Sequence, residues 1–210
     1  MSVRDEGVIK FQIKWQKAPA LSEGTVWDLI AYRQKLFNQN LIGVYPDGIG
    51  FGNLSQRYKV KNQFIISGSQ TGNISKVTAD HFAIVTDYSI DQNWVHCSGP
   101  IQASSESLTH AMIYETFRKV NAIIHVHTPE YWKKLKNKVP TSSANVPYGT
   151  PQMALEIKRL AEKGDLKSPG VLVMAGHEDG IIAFGRDLGE AYQTLIAAFK
   201  LHGNKINPKH

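Results

Sequence analysis

Apolar and polar positions alternate early in the chain. Ile9, Phe11, Ile13 and Trp15 are separated by Lys10, Gln12 and Lys14, the period of a half-buried strand. The period then lengthens: Val26, Leu29, Ile30, Arg33, Leu36 and Phe37 recur at helical spacing, with Ser22 near the start. A glycine-rich loop covers 43–52, and short apolar runs predict strands around 64–67, 82–86 and 94–97. From Glu106 to Val120 the stripe Leu108, Met112, Ile113, Phe117 and Val120 predicts a helix. Ser104 or Ser105 can cap it, because a hydroxyl there accepts an orphan backbone N–H. Residues 122–127 read as a buried strand. Thr150 caps a further helix with Pro151 in its first turn, Met153, Ile157 and Leu160 inside, and Gly164 at its end. Residues 171–174 and 181–184 read as a strand pair. Asp187 and Glu190 make a capping box for the last helix, packed through Leu188, Tyr192, Leu195 and Phe199. This order predicts an α/β fold with a mixed or antiparallel sheet covered by helices on both faces. No repeat or long linker interrupts it, so 1–210 reads as a single domain.

Composition narrows the setting. A hydrophobic fraction of 42% and a charged fraction of 20% suit a soluble globular chain of 210 residues, long enough for a sizeable core. No stretch approaches membrane-spanning length, and the opening Met1-Ser2-Val3-Arg4-Asp5-Glu6 lacks the apolar centre of a secretion signal. Cys97 is the only cysteine, which points to a reducing, cytoplasmic home. The net charge of +6 favours anionic partners. Its basic clusters, Lys133-Lys134-Leu135-Lys136-Asn137-Lys138 and a tail with Lys200, Lys205 and Lys209, carry no nucleic-acid motif and read as solvated faces. A small anionic substrate is the expectation, with no nucleic acid and no membrane.

The chemistry is concentrated in histidines. In His125-Val126-His127, residues two apart on a strand point to one side, so both imidazoles can face one cation. A third ligand is needed, and His177 is the best placed. It follows an apolar strand in the turn Gly176-His177-Glu178-Asp179-Gly180, where ligands are commonly presented. His81, His96, His202 and His210 read as edge or tail residues, and His110, four residues after Glu106, as a core neighbour of it. Ser104-Ser105-Glu106 opens a helix whose free N–H groups and hydroxyls suit a phosphate. Gly52-Asn53-Leu54-Ser55 and Thr71-Gly72 each pair a small residue with a hydrogen-bonding one and can join that seat. A nearby cation and a dry pocket would tune Glu106 for proton transfer.

Taken in order, these segments resemble the class II aldolase/adducin family, to which fuculose-phosphate aldolase belongs. The resemblance runs from roughly Leu21 to Leu201 and is carried by Gly52-Asn53-Leu54-Ser55, Thr71-Gly72, Ser104-Ser105-Glu106, His125-Val126-His127 and His177. It implies a three-layer αβα domain in which His125, His127 and His177 bind Zn2+ or a similar divalent ion. It also implies that Gly52, Asn53, Thr71, Gly72, Ser104 and Ser105 hold a substrate phosphate and that Glu106 is the acid/base. Val146-Pro147-Tyr148-Gly149-Thr150 resembles a family loop with a catalytic tyrosine, which makes Tyr148 the second catalytic candidate. Two departures stand out. Glu178 and Asp179 separate His177 from the glycine that usually follows it at once, and 66–70 lacks the family's proline.

The leading expectation is a zinc-dependent lyase that cleaves or forms a carbon–carbon bond in a phosphorylated ketose through an enediolate, and the resemblance implies assembly as a homotetramer. Epimerisation or dehydration of a sugar phosphate would use the same groups. A non-catalytic adducin-like interaction domain is the alternative from another class.

Overall fold

The computed structural model describes residues 7–59 and 62–203. The opening hexapeptide, Lys205, Lys209 and His210 lie outside the described residues. In chain order the elements are β1 (Gln12–Lys17), α1 (Glu23–Asn38), β2 (Gly43–Val44), β3 (Gly50–Phe51), β4 (Asn53–Arg57), β5 (Phe64–Ser67), β6 (Phe82–Ser89) and β7 (Trp94–Gly99). Then come α2 (Ser107–Thr116), β8 (Ala122–His127), α3 (Pro129–Leu135), α4 (Pro151–Glu162), β9 (Gly170–Val173), β10 (Gly180–Gly185) and α5 (Leu188–His202). A 3-10 turn, Ala79–His81, precedes β6.

Eight strands form one sheet in the order β1-β7-β6-β5-β4-β8-β10-β9. β1 joins β7 in parallel, and all other neighbours are antiparallel, so the sheet is mixed as expected. β2 and β3 make a separate small hairpin out of the glycine-rich loop. Every side chain of β8 is buried, because helices cover both sides of it. Its odd-numbered Ile123 packs into the cluster shared with α2 and α4, and Ile124 and Val126 pack into the cluster shared with α1 and α5. The fold is therefore the αβα arrangement, with the sheet as its middle layer. Among the described residues no helix is long and apolar enough to cross a membrane.

Most predicted elements are present, and the differences have local causes. β1 begins at Gln12, later than the alternation suggests. The residues before it are held by a side-chain bond, since Asn93 Nδ2 donates to the Lys10 carbonyl at 3.0 Å. α2 stops at Thr116 although the apolar spacing runs on to Val120. Phe117 leaves the helix to stack on Phe184 with ring centroids 5.2 Å apart, so its apolar position serves a turn instead. Ser104 and Ser105 are not the cap residue of α2; Glu106 is, while Ser104 Oγ accepts from the Glu106 N–H at 3.3 Å just before the helix. Thr150 caps α4 as predicted, accepting from Met153 N–H. Asp187 caps α5, accepting from Glu190 N–H at 2.7 Å, but the Glu190 carboxylate accepts from Arg186 N–H, one residue earlier than a reciprocal box requires. β4 and α3 escape the hydrophobic pattern. β4 reads Asn-Leu-Ser-Gln-Arg and conceals its strand in polar residues that turn out to face a buried polar layer.

Candidate metal centre and anion cradle

The strand period places His125 and His127 on one face of β8, at its C-terminal end. Register then brings their neighbours. Asn53 of β4 lies opposite His125 on one side, and on the other Ile182 and Gly180 of β10 lie opposite His125 and His127. His177 comes from the turn between β9 and β10. Its N–H donates to the Met174 carbonyl at 3.1 Å, its carbonyl accepts from Gly180 N–H at 3.0 Å, and Thr128 N–H donates to the Asp179 carbonyl at 3.0 Å. The turn is thereby fastened to the end of β8. Despite the two intervening residues, Gly180 still packs against the histidines: a Cβ there would stand 3.1 Å from His125 Cε1 and from His177 Nδ1. Glu178 is exposed and outside the cluster.

One nitrogen from each of His125, His127 and His177 lies within 4.8 Å of the other two, and all three side chains are buried. The Nε2 atoms of His125 and His127 stand 2.8 Å apart. Three buried imidazoles converging on one point are a donor set that suits a divalent cation. Tyr45 supports the arrangement, its hydroxyl lying 2.7 Å from His127 Nδ1. With the proton on Nδ1, the imidazole donates to the Tyr45 oxygen and leaves Nε2 as a lone pair facing the cluster.

Glu106, at the start of α2, is 1% exposed. Its Oε2 accepts from Asn53 Nδ2 at 2.7 Å and stands 3.0 Å from His125 Nε2, and its Oε1 is 3.4 Å from His177 Nδ1. Burial alone would push this carboxyl up. The His125 imidazole, with His177 and His110 behind it, outweighs burial and holds it below the usual carboxylate range. The surroundings thus favour the anion as long as positive charge sits among the imidazoles. Below Glu106, the inward face of α2 continues with His110 and Tyr114, four and eight residues on. Ser55 Oγ lies 2.7 Å from His110 Nδ1 and 2.8 Å from the Tyr114 hydroxyl. His110 is fully buried, and burial draws its pKa down to about 3.

Tyr148 is 3% exposed and meets the cluster through its ring, stacked on His177 at 4.1 Å and 18°. Lys10 lies over that ring, its Nζ 3.7 Å from the centroid. The segment before β1 therefore reaches the site, a role its sequence did not suggest. Gly52, Asn53, Thr71, Gly72, Ser104 and Ser105 all line one small cavity, which Gly7 also borders. Three segments distant in sequence thus meet around one cavity. Gly72 is required by close approach: a Cβ there would collide with the Gly43 carbonyl oxygen and stand 2.7 Å from the Phe51 nitrogen. Asn53 Oδ1 is buried with no hydrogen-bond partner among the described residues, so the cradle holds an acceptor for a ligand hydroxyl.

The sequence reading missed Tyr45 and Tyr114, and it did not foresee the contacts of Ser55 with His110 or of Arg33 with Thr71 and Gly72. A repeat of polar residues at positions 106, 110 and 114 on one helix face could have revealed the α2 stripe. Tyr45, in a glycine-rich loop, offered no such signal.

Fold and site together define an αβα protein with a candidate metal centre of three buried histidines, and comparison with known proteins assigns it to a family. The family model described as Class II Aldolase and Adducin N-terminal domain matches residues 29–201. The chain belongs to that family. A search of curated proteins finds no match. Among solved structures the chain is similar to an L-fuculose 1-phosphate aldolase, with 22% identity, a TM-score of 0.64, and coverage of 87% of this chain and 86% of that one. It is also similar to a sugar-phosphate aldolase from Thermotoga maritima (18% identity, TM-score 0.61, 84% of this chain and 91% of that one). YgbL from Escherichia coli, a candidate aldolase/epimerase/decarboxylase, has 15% identity and a TM-score of 0.62 over 90% of this chain and 93% of its own. At these identities the likeness is one of fold.

Proposed function

We propose that this chain is a zinc-dependent lyase of the aldolase type, breaking or forming a carbon–carbon bond in a small phosphorylated ketose. The observation that carries the reading is the convergence of three buried imidazoles beside Glu106 and next to a cradle lined by Asn53, Thr71, Ser104 and Ser105. His125, His127 and His177 would hold the ion, with Tyr45 orienting His127. A divalent ion bound there supplies a fixed positive charge beside the oxygen on which negative charge develops. The cradle binds the phosphate and positions the reacting carbons against Glu106. Glu106 delivers a proton to the carbon that keeps the electron pair when the bond breaks, and recovers it when the bond forms. Asn53 aims the carboxylate through its 2.7 Å hydrogen bond. In the bond-forming direction the Glu106 carboxylate would take the proton from the carbon that becomes the nucleophile while Tyr148, beside His177, would donate its hydroxyl proton to the aldehyde oxygen; bond cleavage is the reverse of both transfers. Assembly into a homotetramer belongs to the same reading, and an interface would cover some of the exposed apolar side chains, of which Trp27 and Leu201 are 68% and 78% accessible. The lone, buried Cys97 supports a cytoplasmic setting.

Metal analysis and product analysis test this reading together. Metal-replete purification is expected to yield about one divalent ion per chain. A panel of sugar phosphates should then yield an aldehyde and a three-carbon or similar phosphate fragment. Glu106→Gln should keep the metal and lose on the order of 10²–10⁴ in turnover. Absence of bound metal after such purification would promote the adducin-like reading, and epimerised or dehydrated products would reassign the reaction on the same residues.

A further inference from the structure

Arg33 of α1 is 1% exposed, enclosed between Leu29 and Leu36, and its guanidinium lies over Phe37 at 4.5 Å. Its Nη2 donates to two successive carbonyl oxygens, Thr71 at 2.8 Å and Gly72 at 3.1 Å. Both residues line the cradle. Its Nη1 is buried with no hydrogen-bond partner, and among the described residues no carboxylate pairs with it. Burial draws the guanidinium down to about 10, which leaves it charged at neutral pH. A buried cation with no paired carboxylate among the described residues is unfavourable, a cost that its carbonyl partners offset in part and a bound anion would offset further.

The peptide geometry bears on where such an anion would bind. In a trans peptide the N–H points opposite to the carbonyl. With the carbonyls of Thr71 and Gly72 turned to Arg33, the N–H groups of Gly72 and Asn73 point away from it. Gly50, also in the cavity wall, comes close to those peptides: a Cβ on Gly50 would stand 3.0 Å from the Gly72 nitrogen and 3.7 Å from that of Asn73. A charge-assisted bond to a carbonyl polarises its whole peptide and strengthens the donor at the other end.

We propose that Arg33 is a positioning residue, the buried counter-charge of the cradle, which acts through the Thr71 and Gly72 peptides to strengthen binding of a phosphate monoester. The inference rests on the cradle's proposed role as a phosphate seat. Its test is calorimetric titration of the metal-loaded protein with ethyl phosphate, comparing Arg33→Gln, which keeps a donor and loses the charge, with Arg33→Lys, which keeps the charge. Arg33→Gln should bind at least about tenfold more weakly (about 1.4 kcal/mol) with unchanged metal content, and Arg33→Lys within about threefold of wild type. Wild-type affinity in Arg33→Gln overturns the proposal, and so does an equal loss in both variants, which marks a mere structural brace. Should Arg33→Gln fail to fold, Arg33→Lys decides alone: near-wild-type affinity supports the counter-charge, and a loss of about tenfold overturns it. A wild-type protein that binds no ethyl phosphate at all refutes the cradle itself, a separate failure.

Discussion

The histidine cluster and the candidate anion cradle are joined through Asn53, which lines the cradle and donates to Glu106 beside His125, yet they are built in opposite ways. The cluster is made of side chains, two of them aimed by the period of β8 and the third by a turn fastened to its end. The cradle is made largely of backbone from three short segments, with Arg33 beneath one of them. A side-chain site is lost when a group is removed. A backbone site is lost when one is added, because its function is the space and the exposed N–H groups that a small residue leaves.

That contrast can be broken by substitution. The largest effect is expected from His125→Ala, which removes a fully buried donor. Bound divalent metal should fall from about one ion per chain to below about a tenth, with turnover lost, while ethyl phosphate still binds. Elemental analysis and calorimetry on one preparation check both halves, and a variant with full metal would undo the assignment of the cluster.

Gly72→Ala should do the reverse. The added methyl group meets the Gly43 carbonyl and the Phe51 nitrogen, which are backbone atoms unable to swing aside. A loss of about 1–3 kcal/mol in folding stability is expected in denaturant melts, with weakened phosphate binding and retained metal.

Acidification sharpens the comparison from the cluster's side. His110 is kept neutral by burial, with the Glu106 charge opposing and His125 reinforcing, so its folded value near 3 lies below the ordinary 6.5. The unfolded chain therefore takes up the proton first. His110's contribution is complete above pH 6.5 and declines as pH falls from there towards 3, by about 2 kcal/mol at pH 5. Denaturant melts of metal-free protein at pH 7.5 and pH 5 should show a steeper loss in wild type than in His110→Gln; equal losses would remove His110 from the account. The smallest effect belongs to Tyr45→Phe, which deletes the oxygen 2.7 Å from His127 Nδ1. Competition with a chelator should show metal affinity about tenfold weaker, and unchanged affinity would make Tyr45 a packing residue only.

The sequence by itself determined the parts whose physics is local. Periodicity located β8, α4 and α5, the Thr150 and Asp187 caps follow from single hydroxyl and carboxylate side chains, and His-x-His on a strand leaves its two imidazoles no choice but a common side. The six residues that the family resemblance implied for the phosphate line one cavity, although their turn chemistry alone did not single them out. Tertiary structure alone decided what required distant segments to meet. β4 looked polar because its Asn53 and Ser55 face Glu106 and His110, partners over fifty residues away. Tyr45 became a support for His127 only when the 43–52 loop folded across β8. Arg33, one helical residue among several, was joined to Thr71 and Gly72 by the packing of α1 on the sheet. Burial supplies the physical reason: it makes an unpaired polar atom expensive, and which partner satisfies that atom is settled by three-dimensional neighbours that no local pattern encodes.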